Sequence, residues 1–210
     1  KGVDESVDNL QKTLNKLGLD KNTIVIYCSD QGFYIGDHGW YDKRWMYDES
    51  LKMPFIVKWP GRVKEGVVSD EVVSQVDLAA TFAKIIDYPL GKKEAIDSYN
   101  LLPVLEGRKY SKPLRVATVQ NTNPKKFALR QGDWVLIDAP TGAAKKESSE
   151  YLKHFKLDPY GKGHQGLLFN LKEDPRQANN LYDKFPARVT KMRSLLKEYL
   201  SGKPCAPTRQ

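Results

Sequence analysis

The sequence predicts an α/β fold that passes into a small α+β subdomain. Three observations carry that reading. An amphipathic helical stretch runs directly into a β-branched segment, Thr23–Cys28, that shows no polar alternation. A second apolar run, Pro54–Trp59, stops at Pro60-Gly61 and leads into another helical pattern. Beyond residue 113 several short strand-like runs precede one long amphipathic helix. The predicted division is residues 1–113 for the α/β portion, 114–202 for an antiparallel sheet with a C-terminal helix, and 203–210 for a tail.

In the first helix, Val7, Leu10, Leu14 and Leu17 recur at helical spacing, Asp4 stands where a cap would, and Gly18 stops the run. Thr23–Cys28 is then read as a strand buried on both faces of a parallel sheet. The helix from Val76 to Ile86 has Asp77 as its expected cap. Residues 89–113 read as an irregular connection with an apolar patch at Leu101, Leu102, Val104 and Leu105. Val116–Val119, Phe127–Arg130, Trp134–Ile137 and Leu167–Leu171 read as strands, with Gln131-Gly132-Asp133 as a hairpin turn. Pro186 opens the last helix, whose Val189, Met192, Leu195, Leu196, Tyr199 and Leu200 share a face. Trp134, Phe169 and Tyr199 fit the core and need no function.

Composition narrows the partners. With 210 residues, 40% of them hydrophobic, the chain can bury a core, and no run approaches the roughly 18 apolar residues of a membrane helix. Two cysteines, Cys28 and Cys205, exclude a disulfide framework and an all-cysteine zinc site. Thirty-four Lys and Arg against 26 Asp and Glu leave a net charge of +8, which suits a polyanion such as a sulfated glycan. The basic residues are scattered, however, and no helix carries a dense basic face, which argues against nucleic acid and for a solvated surface. The first residues contain no apolar leader, so the protein is either cytoplasmic or its true start lies upstream, and the motifs favour the second.

The chemistry-bearing residues cluster after the first strand. Asp30 and Gln31 offer a carboxylate and an amide oxygen, hard ligands for calcium or magnesium, although an Asp at a strand end also caps turns. The glycine-punctuated loop from Gly32 to Arg44 brings His38, Lys43 and Arg44 near that carboxylate and could bind an oxyanion. Lys43 could instead pair with Asp42 or Asp48. His38 could touch a sugar or a leaving-group oxygen, or satisfy a backbone carbonyl. Arg44 and Trp45 read as loop-fixing residues. His154 and His164 share a lysine-rich stretch with Lys145, Lys146, Lys153 and Lys162, either a sugar subsite or a solvated loop.

The segment Ser29-Asp30-Gln31-Gly32 through Lys43-Arg44-Trp45-Met46-Tyr47-Asp48-Glu49-Ser50 to Met53-Pro54-Phe55-Ile56-Val57 closely resembles the type I, formylglycine-dependent sulfatases of the alkaline phosphatase superfamily. The likeness continues through Trp59-Pro60-Gly61, Val76-Asp77-Leu78-Ala79, Leu101–Gly107, Ala128–Trp134, Leu168–Pro175 and Asn179-Asn180-Leu181, nearly the whole chain. It implies an alkaline-phosphatase-like mixed or parallel sheet sandwiched by helices. It also implies that Asp30 and Gln31 are the second pair of ligands to a Ca2+ ion, Gln31 standing where many relatives carry Asn or His. Lys43 matches the sulfate-binding lysine, and His38 is a candidate beside it for catalysis and substrate contact. In the family the ion holds a sulfate oxygen and the hydrated formylglycine that attacks sulfur.

The resemblance places the formylglycine and an Asp-Asp pair in an N-terminal half outside these residues, so this chain by itself is expected to be inactive. Cys205-Ala206-Pro207-Thr208-Arg209 spells Cys-x-Pro-x-Arg but follows the last helix without the Leu-Thr-Gly continuation, and reads as a tail thiol. The implied substrate is a sulfated carbohydrate or another sulfate ester, and the implied location periplasmic or secreted. Two alternatives stand beside it: a phosphoester or phosphonate hydrolase of the same superfamily, and a non-catalytic basic module that binds glycan. Asp-Gln followed by Lys43 favours the sulfatase, since paired-zinc phosphatases need histidines and this chain has three, widely spaced.

Overall fold

A computed structural model of the chain describes residues 1–40, 43, 45–108, 112–123, 125–139, 165–204 and 206. Helix α1 spans Gly2–Lys16, with Asp4 and Glu5 in a first turn whose unpaired N–H groups favour negative charge. Asp4 does not cap it: Lys1 holds that position without a side-chain bond. Gly18, at φ +67°, ends the helix by taking the left-handed conformation that costs a glycine least.

Strand β1, Val25–Cys28, pairs with β2, Phe55–Lys58, in register from Val25 opposite Lys58 to Cys28 opposite Phe55. The pairing is antiparallel, and β1 is half-buried with Tyr27 exposed rather than enclosed on both faces. A β-branched run reports a pleated, apolar surface and says nothing of the direction of its neighbour. The single helical turn α2, Asp48–Leu51, precedes β2. Helix α3, Asp77–Ile85, and the short α4, Leu102–Leu105, follow it.

Asp77 does something other than cap α3. Val76 is the N-cap, and the fully buried Asp77 carboxylate accepts the backbone N–H groups of Ser74 and Tyr99, both at 2.8 Å, and pairs with the buried guanidinium of Arg115. Arg115 also donates to the Asp97 carbonyl at 3.2 Å and lies over the Tyr99 ring. Such a desolvated pair tolerates loss of neither partner, because the survivor would be a buried bare charge.

The second sheet is antiparallel in the order β3-β4-β5-β6: Thr118–Asn123, Lys126–Gln131, Trp134–Ile137 and Leu167–Asn170. β3 starts two residues later than Val116, which is exposed. Gly132, at φ +58°, turns the β4–β5 hairpin. Strict alternation gives this sheet two apolar faces. Leu129, Leu136 and Leu168 point to one side and meet Val189, Met192 and Leu196 of helix α5, Pro186–Leu200. Ala128, Val135, Ile137, Leu167 and Phe169 point to the other and meet Tyr34, Trp40, Trp45, Met46 and Tyr47. The loop expected to carry the chemistry therefore rests on the face of the C-terminal sheet opposite its helix.

Candidate functional site

The turn after β1 is held from two directions. Gln75 donates its side-chain amide to the Ser29 carbonyl at 2.5 Å, and the Ser29 hydroxyl donates to the Gln31 carbonyl at 2.8 Å. Asp30 is exposed, with one carboxylate oxygen 3.4 Å from that hydroxyl, and Gln31 is half-buried. Gly32 donates its N–H to the Ser50 carbonyl at 2.9 Å, and a Cβ at Gly32 would stand 1.9 Å from the Glu49 carbonyl oxygen. Only glycine allows the two backbones to approach this closely.

From Gly32 the chain passes over the C-terminal sheet. Tyr34 is fully buried; its hydroxyl donates to the Trp45 carbonyl at 2.8 Å and accepts the Tyr47 N–H at 3.2 Å, which fixes the two ends of the loop to one atom. Burial pushes the Tyr34 phenol well above its ordinary value, so it stays a protonated donor. Gly36 at φ +107° and His38 at φ +53° make the tight turn, closed by Gly36 N–H to the Trp40 carbonyl at 2.8 Å.

His38 is 9% exposed, its ring stacked 3.9 Å from that of Tyr47 and its Nε2 3.1 Å from the Glu49 carboxylate. Lys43 is exposed, and its carbonyl accepts the Ser50 hydroxyl at 2.8 Å. Asp48, at the head of α2, donates its N–H to the Gln177 side chain at 2.7 Å. Burial raises the Asp48 carboxyl above its ordinary range, an effect partly offset by Arg130 and Lys52.

Asp30 and Gln31 thus project from the end of β1 while Lys43 projects from the loop, and α2 touches both segments. Among the described residues no three His, Cys, Asp or Glu side chains converge to hold a metal ion. An exposed carboxylate and an amide oxygen from adjacent residues suit a hard cation, and would supply two of the six to eight oxygens Ca2+ takes. Arg44, the lysines and histidines of 145–164 and Cys205 lie outside the described residues.

Comparison with known proteins bears directly on this arrangement. Residues 36–119 match the family model for the N-sulphoglucosamine sulphohydrolase C-terminal region. An N-acetylglucosamine-6-O-sulfatase of Bacteroides thetaiotaomicron is 31% identical over 207 residues, covering 93% of this chain and 33% of the relative. A protein solved in complex with its substrate D-glucosamine-2-N,6-O-disulfate superposes with a TM-score of 0.73 at 28% identity, over 96% of this chain and 40% of that one. The chain belongs to the sulfatase family.

The sulfatase chain spans about a third of the length of that curated relative. Its alkaline-phosphatase-like fold is shared more widely: a phosphonate monoester hydrolase of Agrobacterium radiobacter superposes with a TM-score of 0.71 at 18% identity, over 95% of this chain and 39% of that one, a likeness of fold alone. Sequence reasoning missed Gln75, Glu49 and the Ser50 hydroxyl as supports of the turn and loop that carry the candidate site. Their partners lie 46, 11 and 7 residues away, beyond any local pattern. The sequence showed a glycine-punctuated loop here, but not the tight turn centred on His38.

Proposed function

We propose that the protein of which this chain is part hydrolyses sulfate esters of a sulfated amino sugar or a related carbohydrate, and that it does so in the periplasm or outside the cell. The observation that carries the reading is the joint anchoring of the Asp30–Gln31 turn and the Lys43 loop on one helical turn, α2, in a chain similar to an N-acetylglucosamine-6-O-sulfatase and an N-acetylgalactosamine-6-O-sulfatase. Asp30 and Gln31 would give two oxygens to a Ca2+ ion, which when bound supplies Lewis acidity toward a sulfate oxygen. Lys43 is a point charge on a flexible stem, suited to offset negative charge that grows on the transferring group. The formylglycine nucleophile that the family resemblance implies would come from elsewhere in the protein.

The test uses the full-length protein with N-acetylglucosamine 6-O-sulfate and ion chromatography of released sulfate. Lys43→Ala is expected to lower kcat/KM by about a thousandfold without moving the thermal midpoint. A loss under about tenfold, or faster release of phosphate from the matching phosphate ester by the unmodified protein, would overturn the assignment.

A further inference from the structure

Three contacts converge on α2. The Glu49 and Ser50 carbonyls sit against Gly32, one residue from Gln31, with room for no side chain between them. The buried Ser50 hydroxyl donates to the Lys43 carbonyl. The Glu49 carboxylate, 26% exposed, reaches the ring of His38, five residues before Lys43. At the other end, the Asp48 N–H is tied to Gln177, which is 2% exposed and lies in the segment after β6. One helical turn, itself fixed to the C-terminal subdomain, therefore touches both segments that carry the candidate chemistry.

The chemistry of the His38 contact says which way the ring works. An ionised carboxylate only accepts hydrogen bonds, so Nε2 must carry the hydrogen and donate it to Glu49. Tyr47 stacks on the ring face and Tyr34 meets it edge-on, so the imidazole is held in place from several sides. His38 also occupies the left-handed region at φ +53°, which among non-glycine residues asparagine, aspartate and histidine enter most readily, so the residue type suits the turn. This is the environment of a side chain that locks a turn.

We propose that α2 is a clamp that sets the separation of the Asp30–Gln31 turn from Lys43, and that His38 is its latch: a positioning residue acting through Glu49. What is positioned rests on the sulfatase reading; the clamp itself rests on the contacts. A misplacement of about 1 Å in a reacting pair can cost about a hundredfold in rate, so loosening this turn is expected to show in turnover.

The experiment uses the full-length protein and four variants, His38→Ala, Glu49→Ala, Glu49→Gln and the double Ala variant, with two readouts. The first is amide hydrogen exchange at Gly32, which needs no substrate. The second is kcat and KM for N-acetylglucosamine 6-O-sulfate. Each single Ala variant is expected to speed Gly32 exchange by about tenfold while amides of β4 and β5 hold. Each is expected to lower kcat by about tenfold or more, with the double variant no worse than the worse single one. Glu49→Gln, which keeps an acceptor, restores most of both.

Unchanged Gly32 exchange in His38→Ala, or losses in kcat that add in the double variant, would overturn the proposal; additive losses are what a His38 that touches substrate by itself would give. Should the Ala variants fail to fold, Ser50→Ala carries the same test, with kcat expected to fall about tenfold and unaltered kcat overturning the clamp. A full-length protein that leaves the sulfate ester intact would sink the sulfatase reading, while the exchange measurement still decides the clamp.

Discussion

Strands β1 and β2 leave Tyr27, Ile56 and Lys58 in solvent, whereas β5 and β6 each bury three of their four residues. Among the described residues the first pair has no further strand, and a lone two-stranded ribbon is marginal in water. The second sheet has α5 on one face and the aromatic loop of residues 34–47 on the other. Lys43 is thus carried on the closed part of the molecule and Asp30–Gln31 on the open part, with α2 in contact with both. A site assembled this way depends on how firmly the joint is made more than on either sheet.

The contrast can be broken most directly in the closed part. Met192 is fully buried between α5 and the sheet, so Met192→Ala is expected to cost about 3 kcal/mol of stability in denaturant unfolding, the transfer and cavity terms adding. A loss below about 1 kcal/mol would mean that α5 does not seal that face. At the joint, Gly32→Ala forces a Cβ into the Glu49 carbonyl. The turn must then shift away from α2, and kcat/KM for the sulfate ester is expected to fall about a hundredfold, a loss of about 2.7 kcal/mol of transition-state stabilisation. Unimpaired turnover would show that the spacing between turn and helix is not critical.

What could be read from the sequence follows the same division. Trp134–Ile137 and Pro186–Leu200 begin and end where read, because alternation, a Pro at the first helical position and Gly202 beyond the last turn are local signals. The direction of β1's partner was not legible, since burial pattern and pairing direction are separate properties. Asp77 looks like a cap from its neighbours alone; its role as the partner of Arg115, 38 residues on, is invisible to any window of helical length. For the site, residue type together with the family resemblance made Asp30, Gln31, His38 and Lys43 the candidates, but neither showed that His38 spends its Nε2 on Glu49. Long-range polar contacts leave no periodic trace.

A smaller effect sharpens the account of the joint. Burial raises the Asp48 carboxyl above its ordinary 3.8, so in the window just above that value the folded state holds a proton the unfolded chain has released. Stability contributed by this group is therefore largest at acid pH and declines as pH rises through the folded value. Asp48→Asn removes that slope, and is expected to raise the thermal midpoint at neutral pH by about 2 °C. A lowered midpoint would mean that the charge on Asp48 serves the first turn of α2 more than its desolvation costs.

The smallest expected effect lies in α1, which buries no residue: Leu10 is 49% exposed and Leu17 63%. Leu10→Ala should change stability by no more than about 0.5 kcal/mol, since little apolar surface leaves water at that position and alanine is the better helix former. The apolar stripe of Val7, Leu10, Leu14 and Leu17 nevertheless has the spacing of a core-facing helix. If Leu10→Ala in the full-length protein instead costs about 2 kcal/mol, the stripe is covered there. An apolar face that is open in this chain would then be one that another segment or chain covers in solution.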